Sequence, residues 1–211
     1  MRRLLIALVV LVAILVAGDF VAKAYAANQL KDRARAAVHG ATTSDGSITS
    51  FPFLGRLLLF GRVQEVQVSV GPVVAGRVTF SSIAVDLHDV QVDRNKLIRE
   101  RTVRLTGLGS GTVTAVLTDA EISRLAGVPV TFTPGRVNVT VHGVSVSGAV
   151  QVENGILVLG SAASPVRVRI PRAPLFACDA TSAVVEQGKV EASCTIHDIP
   201  PELVRRVSAT A

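Results

Sequence analysis

Residues 4–38, LLIALVVLVAILVAGDFVAKAYAANQLKDRARAAV, decide how this chain is organised. Arg2 and Arg3 precede fifteen residues, 4–18, that carry no charged or strongly polar side chain. A short cationic start before an apolar run of this length is typical of an export signal and slightly short for a full membrane span. The sequence therefore predicts that the rest of the chain lies outside the cytoplasmic membrane.

The fate of this segment has two interpretations. Ala24-Tyr25-Ala26 fits a small-x-small cleavage site, which would leave a chain that begins at Ala27. Asp19 and Lys23 make the approach to that site unusually polar and long, which fits an uncleaved anchor equally well. Residues 1–26 are thus predicted to be a signal peptide or membrane anchor, and residues 27–211 a single domain.

Beyond Gly18, apolar residues return every three or four positions, which is the spacing of a helix with one apolar face. These residues are Phe20, Val21, Ala24, Ala27, Leu30, Ala34 and Val38. We expect this amphipathic helix to pack its apolar face against the strands that follow.

A second unusual stretch is FPFLGRLLLFG, residues 51–61, in which Arg56 is the only charged residue. Pro52, Gly55 and Gly61 interrupt regular structure within it. Such a segment either closes the end of a core or forms an exposed apolar edge that touches lipid.

The remaining chain alternates apolar and polar residues, as half-buried strands do, for example over residues 66–70. Asn154-Gly155 predicts a hairpin, and a change of phase at Ser81-Ser82 predicts a bulge or sharp bend. Thr118 and Glu121 predict the capping box of a short helix, and residues 200–207 a final helix.

Hairpin connections imply antiparallel pairing, and strands that change phase imply a bent sheet. The predicted fold class is α+β: a long, strongly curved antiparallel β-sheet wrapped around the N-terminal amphipathic helix.

Composition narrows the classes of function. The formal charge is +6, but only 4% of the residues are aromatic and none is Trp. Single-stranded nucleic acids are bound by stacking bases on aromatic side chains, so a nucleic-acid partner is disfavoured. A basic exported protein instead favours anionic lipid head groups at a membrane surface.

The two cysteines, Cys178 and Cys194, form an even pair in a chain predicted to be exported. Such a pair favours a disulfide, and two buried free thiols are the alternative.

No catalytic or metal-binding motif is present, and His39, His88, His142 and His197 are isolated. In His88-Asp89 and His197-Asp198, adjacent side chains on a strand point to opposite faces and cannot converge on one atom. We therefore expect a non-enzymatic protein that needs neither a metal nor a cofactor.

An apolar interior edged with arginine could hold acyl chains inside and a phosphate at its mouth, since guanidinium donates two parallel hydrogen bonds to phosphate. The candidate acyl-contacting residues are large and apolar: Phe51, Phe53, Leu54, Leu57, Leu58, Phe60, Phe132 and Phe176. The candidate head-group residues are Arg56, Arg62, Arg167, Arg169 and Arg172.

Several short stretches resemble the LmeA-like phospholipid-binding family of exported bacterial proteins. They are Phe51-Pro52-Phe53-Leu54 with the Leu-rich turn after it, Asp86-Leu87-His88-Asp89-Val90, the helix from Thr118 to Leu125, and Pro174-Leu175-Phe176. The resemblance implies a secreted or membrane-tethered protein, periplasmic or at the outer face of the cytoplasmic membrane, that binds anionic phospholipids including phosphoinositides. It also implies a role in the maturation of envelope lipoglycan (mannan) in high-GC Gram-positive bacteria, and a fold like the tubular lipid-binding (BPI-like) proteins.

Two other functions fit the same residues. One is a non-catalytic scaffold subunit whose apolar segment docks a membrane-bound envelope-biosynthesis enzyme, and the other is a glycan-processing enzyme with an unrecognised site. An apolar cavity for acyl chains would favour lipid binding, and a convergent carboxylate pair in a polar cleft would favour the enzyme.

Overall fold

The computed structural model describes residues 2–37, 41–100, 102–161, 164–170, 178 and 180–197, with side chains from residue 14 onward except at 15, 37 and 164. The helix predicted over residues 200–207 and the Pro-rich stretch 171–176 lie outside these residues.

The chain begins with α1 (Arg2–Ala37), β1 (Thr43–Thr49) and α2 (Phe53–Gly55), which continues into a π-helical turn (Arg56–Phe60). Next come β2 (Arg62–Gly71), β3 (Val73–Ala75), β4 (Val78–Phe80), β5 (Ser82–Val92), α3 (Arg94–Glu100), β6 (Leu105–Gly107), β7 (Ser110–Thr118) and α4 (Asp119–Ala126). The last described strands are β8 (Val130–Thr133), β9 (Arg136–Val141), β10 (Val144–Glu153), β11 (Ile156–Ser161), β12 (Ser164–Arg169), β13 (Ser182–Glu186) and β14 (Lys189–Ile196).

All the strand pairs between these elements are antiparallel. The larger sheet has the order β1-β2-β5-β7-β14-β13, with β6 beside β5, and the second sheet has the order β12-β11-β10-β9-β8. The α+β class and the antiparallel pairing are confirmed. The expectation of one long, strongly curved sheet is not met, because the strands divide between sheets and the sheet is neither closed nor strongly curled.

The change of phase at Ser81-Ser82 is the predicted bend and not the predicted bulge, because Ser81 forms a bend between β4 and β5. β4 pairs with β3 in a separate two-stranded sheet, whereas β5 begins at Ser82 in the larger sheet. Between them, the Ser81 amide donates to the carbonyl oxygen of Val116 at 2.8 Å. The chain therefore changes sheet at this point, and the alternation restarts in the new environment.

The larger sheet has one apolar and one polar face. Val68, Val85 and Val113 are neighbours on the apolar face, while Gln67, Asp86, Thr112 and Thr195 are neighbours on the polar one. The second sheet and α4 cover one end of the apolar face and form the main core. Its largest fully buried side chains are Phe80, Phe132, Ile83, Leu117, Ile122, Leu157 and Leu159.

Helix α1 covers the other end of that face and packs against β1 and β2, as predicted. Its packed face matches the predicted one only in part. Leu30 and Ala34 pack as predicted, joined by Ala22 and Ala26, whereas Phe20, Val21 and Ala24 are exposed. Small side chains let the helix approach β1 closely, where a Cβ added at Gly46 would lie 3.6 Å from the carbonyl oxygen of Ala27. Lys31 and Asp45 also form an ion pair of 3.2 Å.

Among the described residues, no helix is both long enough and apolar enough to cross a membrane.

The predicted hairpin and disulfide are both present. Asn154 and Gly155, with φ of 51° and 76°, connect β10 to β11. Cys178 and Cys194 are bonded, with Cα atoms 6.2 Å apart, and Cys194 is buried in the main core.

Helix α4 is capped in part as predicted. The Thr118 hydroxyl accepts from the Glu121 amide at 3.3 Å. The Glu121 carboxylate does not complete the box, because its oxygens accept from the Thr79 amide at 2.6 Å and from the Arg124 guanidinium. The hydrogen bond from Arg124, helped by that from Thr79, holds the pKa of Glu121 below its ordinary 4.5. Glu121 therefore joins α4 to β4 instead of closing its own helix.

Replacing Glu121 by Gln should remove a pH-dependent part of the stability. Because the folded-state pKa is lowered, ionised Glu121 stabilises the fold above its unfolded-state pKa, and this contribution is lost as the pH falls through the lowered value. The difference in denaturation midpoint between the wild type and Glu121→Gln should thus shrink as the pH falls from 7 to below 4.5. Glu153→Gln, at an exposed glutamate, is the control, and an equal trend in both variants would contradict the assignment.

Reduction of the disulfide should lower the free energy of unfolding by about 3 kcal/mol, because the bond closes a loop with a sequence separation of 16 residues. Cys178→Ser, at the less buried of the two cysteines, should lose a similar amount and show no further response to reductant. Equal urea midpoints of the wild type with and without reductant would refute this.

Candidate functional site

We call residues 51–60 the lip. A second apolar cluster, separate from the main core, lies between α1, one end of the larger sheet and the lip. Its buried members are Ile48, Phe53, Val63 and Val90. The partly buried side chains around them are Ala22, Ala26, Leu30, Leu54, Leu57, Val66, Leu87, Leu105 and Leu108. The cluster is therefore apolar but incompletely closed.

The lip is attached to α1 by a buried carboxylate. Asp19 is only 6% exposed, and its two oxygens accept from the backbone amides of Phe53, at 2.9 Å, and Leu54, at 2.6 Å. These amides belong to the first turn of α2, where N–H groups have no partner within the helix and favour a negative charge. Sequence reasoning missed this role, although a lone carboxylate directly after fifteen apolar residues is the signal that could have indicated it.

The far end of the lip is fixed by backbone geometry. Gly61 has φ of 62°, its amide donates to the Leu57 carbonyl oxygen at 3.0 Å, and its own carbonyl oxygen accepts from Val92 at 2.7 Å. A Cβ at Gly61 would lie 2.6 Å from the Val92 oxygen, so only glycine fits this exit. Arg94 of α3 donates to the carbonyl oxygen of Leu59 at 3.0 Å.

The side chains of the lip divide into two groups. Phe53 is buried and Leu54 and Leu57 are half-buried against the cluster, which is the core-closing role. Phe51, Leu58, Leu59 and Phe60 point outward, with Leu59 66% and Phe60 71% exposed. The segment thus closes the end of the core and also presents an exposed apolar edge, because a helical turn directs residues three or four apart to one side and those between them to the other.

Two of the predicted head-group residues lie at the lip. Arg56 is half-buried within it, and Arg62 is exposed at the start of β2. The helix α3 beside the lip adds three cations, Arg94, Lys96 and Arg99, that sequence reasoning did not select.

The other predicted residues do not join this site. Phe132 is buried in the main core, and Arg167 and Arg169 are exposed on β12, the edge strand of the second sheet. Arg172 and Phe176 lie outside the described residues. Across the described ranges, no group of three or more His, Cys, Asp or Glu side chains could hold a metal ion.

Two surface clefts lie elsewhere. One, of about 300 Å³, lies at β1, β2 and β5 of the larger sheet and includes Asp45, Val68 and Asp86. The other, of about 410 Å³, lies beside α4 and includes Glu121 and Arg124. No residue of the lip lines either cleft.

The fold and the site define an antiparallel α+β protein with a partly open apolar cluster bordered by cations. The chain belongs to the LmeA-like phospholipid-binding family, whose model matches residues 17–207. That match includes Asp19, the lip and both sheets, and it confirms the resemblance seen in the sequence. No curated protein and no solved structure matches the chain.

Replacing Asp19 by Ala should loosen the lip. Two amides lose their acceptor, at a cost of about 1–3 kcal/mol for each one that stays buried. Amide hydrogen exchange at Phe53 and Leu54 should accelerate, while exchange in the main core changes less.

Asp32→Ala, at an exposed aspartate of the same helix, is the matched control and should change stability by less than about 0.5 kcal/mol. Unchanged exchange at Phe53 and Leu54 in Asp19→Ala would show that the carboxylate does not hold the lip.

Proposed function

We propose that this protein is an exported, non-enzymatic phospholipid-binding protein that acts at the outer face of the cytoplasmic membrane. Its ligands are anionic phospholipids of the phosphoinositide kind, and its role is to support the biogenesis of cell-envelope lipid or lipoglycan. The observation that carries the proposal is the incompletely closed apolar cluster beneath the lip, with Arg56 within the lip and Arg62 directly after it at the start of β2.

Lipid enters this cluster between α1 and the sheet. Leu54 and Leu57 line the entrance and are already half-buried, so an acyl chain that covers them gains about 25 cal/mol for each Å² of apolar surface removed from water. The phosphate then meets Arg56 and Arg62, whose planar guanidinium groups suit its oxygens.

A tubular, BPI-like groove is part of this proposal. The lip depends on the two Asp19 hydrogen bonds at one end and on Gly61 at the other. Displacing its middle would deepen the cluster into a groove between helix and sheet. The packed main core offers no comparable opening, since its central side chains are fully buried.

The second candidate is a non-catalytic scaffold that docks a membrane-bound envelope enzyme. The outward side chains of Leu58, Leu59 and Phe60 favour it, because exposed apolar patches also mark protein interfaces.

Native mass spectrometry with lipid extraction on the full chain tests the proposal. The wild type should carry phospholipid at a fixed stoichiometry, enriched in anionic species. The double variant Leu54→Ser, Leu57→Ser, at the two half-buried side chains that line the cluster, should lose most of it while keeping its circular dichroism.

Val146→Ser, which removes a half-buried apolar side chain of β10, is the control and should keep its lipid. A wild-type mass without lipid, together with no uptake from anionic liposomes, would contradict phospholipid binding and favour the scaffold.

A further inference from the structure

We propose that the lip and the outward side of α1 form one surface that rests on a lipid bilayer, with α3 as its cationic rim and with α1 still attached. The inference rests on the proposed function for the chemistry of its partner. It adds where the protein meets the membrane and which residues enter it.

The two apolar parts of this surface are adjacent. The large apolar residues of α1 point away from the sheet: Ile14, Val16, Phe20, Val21 and Tyr25 are all exposed. The ring of Phe20 lies 6.4 Å from that of Phe51, between centroids, which joins the helix to the lip. The outward side chains of the lip, Leu58, Leu59 and Phe60, extend the patch.

The charge beside this patch suits an anionic membrane. Helix α3 contacts the π-helical turn and carries Arg94, Lys96 and Arg99, with Glu100 as its one acidic residue. None of these three cations forms an ion pair with another described residue. Exposed Phe and Leu beside Lys and Arg are the composition with which protein surfaces enter the boundary between head groups and acyl chains.

The position of the patch along α1 also indicates a bilayer. Residues 4–18 are apolar, and α1 is helical from Arg2, so they span about 22 Å at 1.5 Å per residue. That length reaches through most of an apolar bilayer interior of about 30 Å. Asp19 comes directly after this run and holds the lip at the same level. When residues 4–18 are inserted, Phe20, Phe51 and Phe60 lie near the interface.

This arrangement requires that α1 is not cut after Ala26. Asp19, Ala22 and Ala26 precede the predicted cleavage site, yet they hold the lip and pack in the second cluster. A chain that begins at Ala27 would lose the attachment of the lip, so the surface and its anchor belong together.

Tryptophan fluorescence of the full chain in vesicles tests the proposal, because the chain has no natural Trp. Phe60→Trp places a single reporter on the lip, and Val144→Trp is the matched control at an exposed site on β10. In vesicles of phosphatidylcholine and phosphatidylglycerol, brominated acyl chains should quench the Phe60→Trp emission severalfold and leave that of Val144→Trp unchanged. Equal, weak quenching of both reporters overturns the proposal and favours a protein as the partner of the lip.

The rim is tested in the Phe60→Trp background. Adding Lys96→Glu and Arg99→Glu should reduce quenching in anionic vesicles, while Arg136→Glu, at an exposed arginine of β9, should not. An equal reduction of quenching by the two α3 substitutions and by Arg136→Glu would show that α3 is not part of the membrane-facing surface.

The two hypotheses fail in different ways. Retained phospholipid in the mass spectrum without quenching of Phe60→Trp overturns only the docking surface. Strong quenching without retained phospholipid supports docking and overturns the binding function.

Discussion

The arrangement of the site depends on one buried carboxylate. Asp19 connects the N-terminal helix to the rest of the fold, because its two carboxylate oxygens accept hydrogen bonds from backbone amides at the start of the lip. A buried carboxylate is costly unless hydrogen bonds compensate it, and here two charge-assisted bonds do so. This contact fixes the start of the lip at Phe53, while Gly61 and Arg94 fix its far end, where Leu59 and Phe60 point outward. Attachment of the lip to α1 therefore depends on a single side chain.

The larger sheet explains why a half-open cluster exists at all. The whole apolar face must be shielded from water, and two different parts of the chain pack on it. The second sheet interdigitates with one end and leaves a fully buried core. A helix with small residues on its packed side and a ten-residue lip cover the other end, where Leu54 and Leu57 stay partly exposed. The first region is fully buried and the second is not, so local opening of the second should cost less free energy.

Local patterns predicted much of the fold: the antiparallel strands, the hairpin at Asn154, the cap at Thr118 and the disulfide. What the patterns could not supply was which sheet a strand joins, since Ser81-Ser82 looks alike for a bulge and for a change of sheet. The packed side of α1 was predicted only in part: Leu30 packs as expected, but hydrophobicity favours Phe20 and Val21 where the structure packs Ala22 and Ala26. At the site, the lip was predicted, but its attachment and its cationic neighbour α3 depend on tertiary contacts.

Photo-crosslinking with an anionic phospholipid that carries a reactive group on its acyl chain tests the central claim most directly. The full chain would be labelled in vesicles, digested, and mapped by mass spectrometry. For the wild type, the account predicts adducts concentrated in residues 51–60 and on the exposed side of α1. In the Asp19→Ala variant, the adducts on Leu54 and Leu57, which line the cluster, should be lost. Adducts concentrated on the second sheet, around β10 and β12, would contradict the assignment of this site.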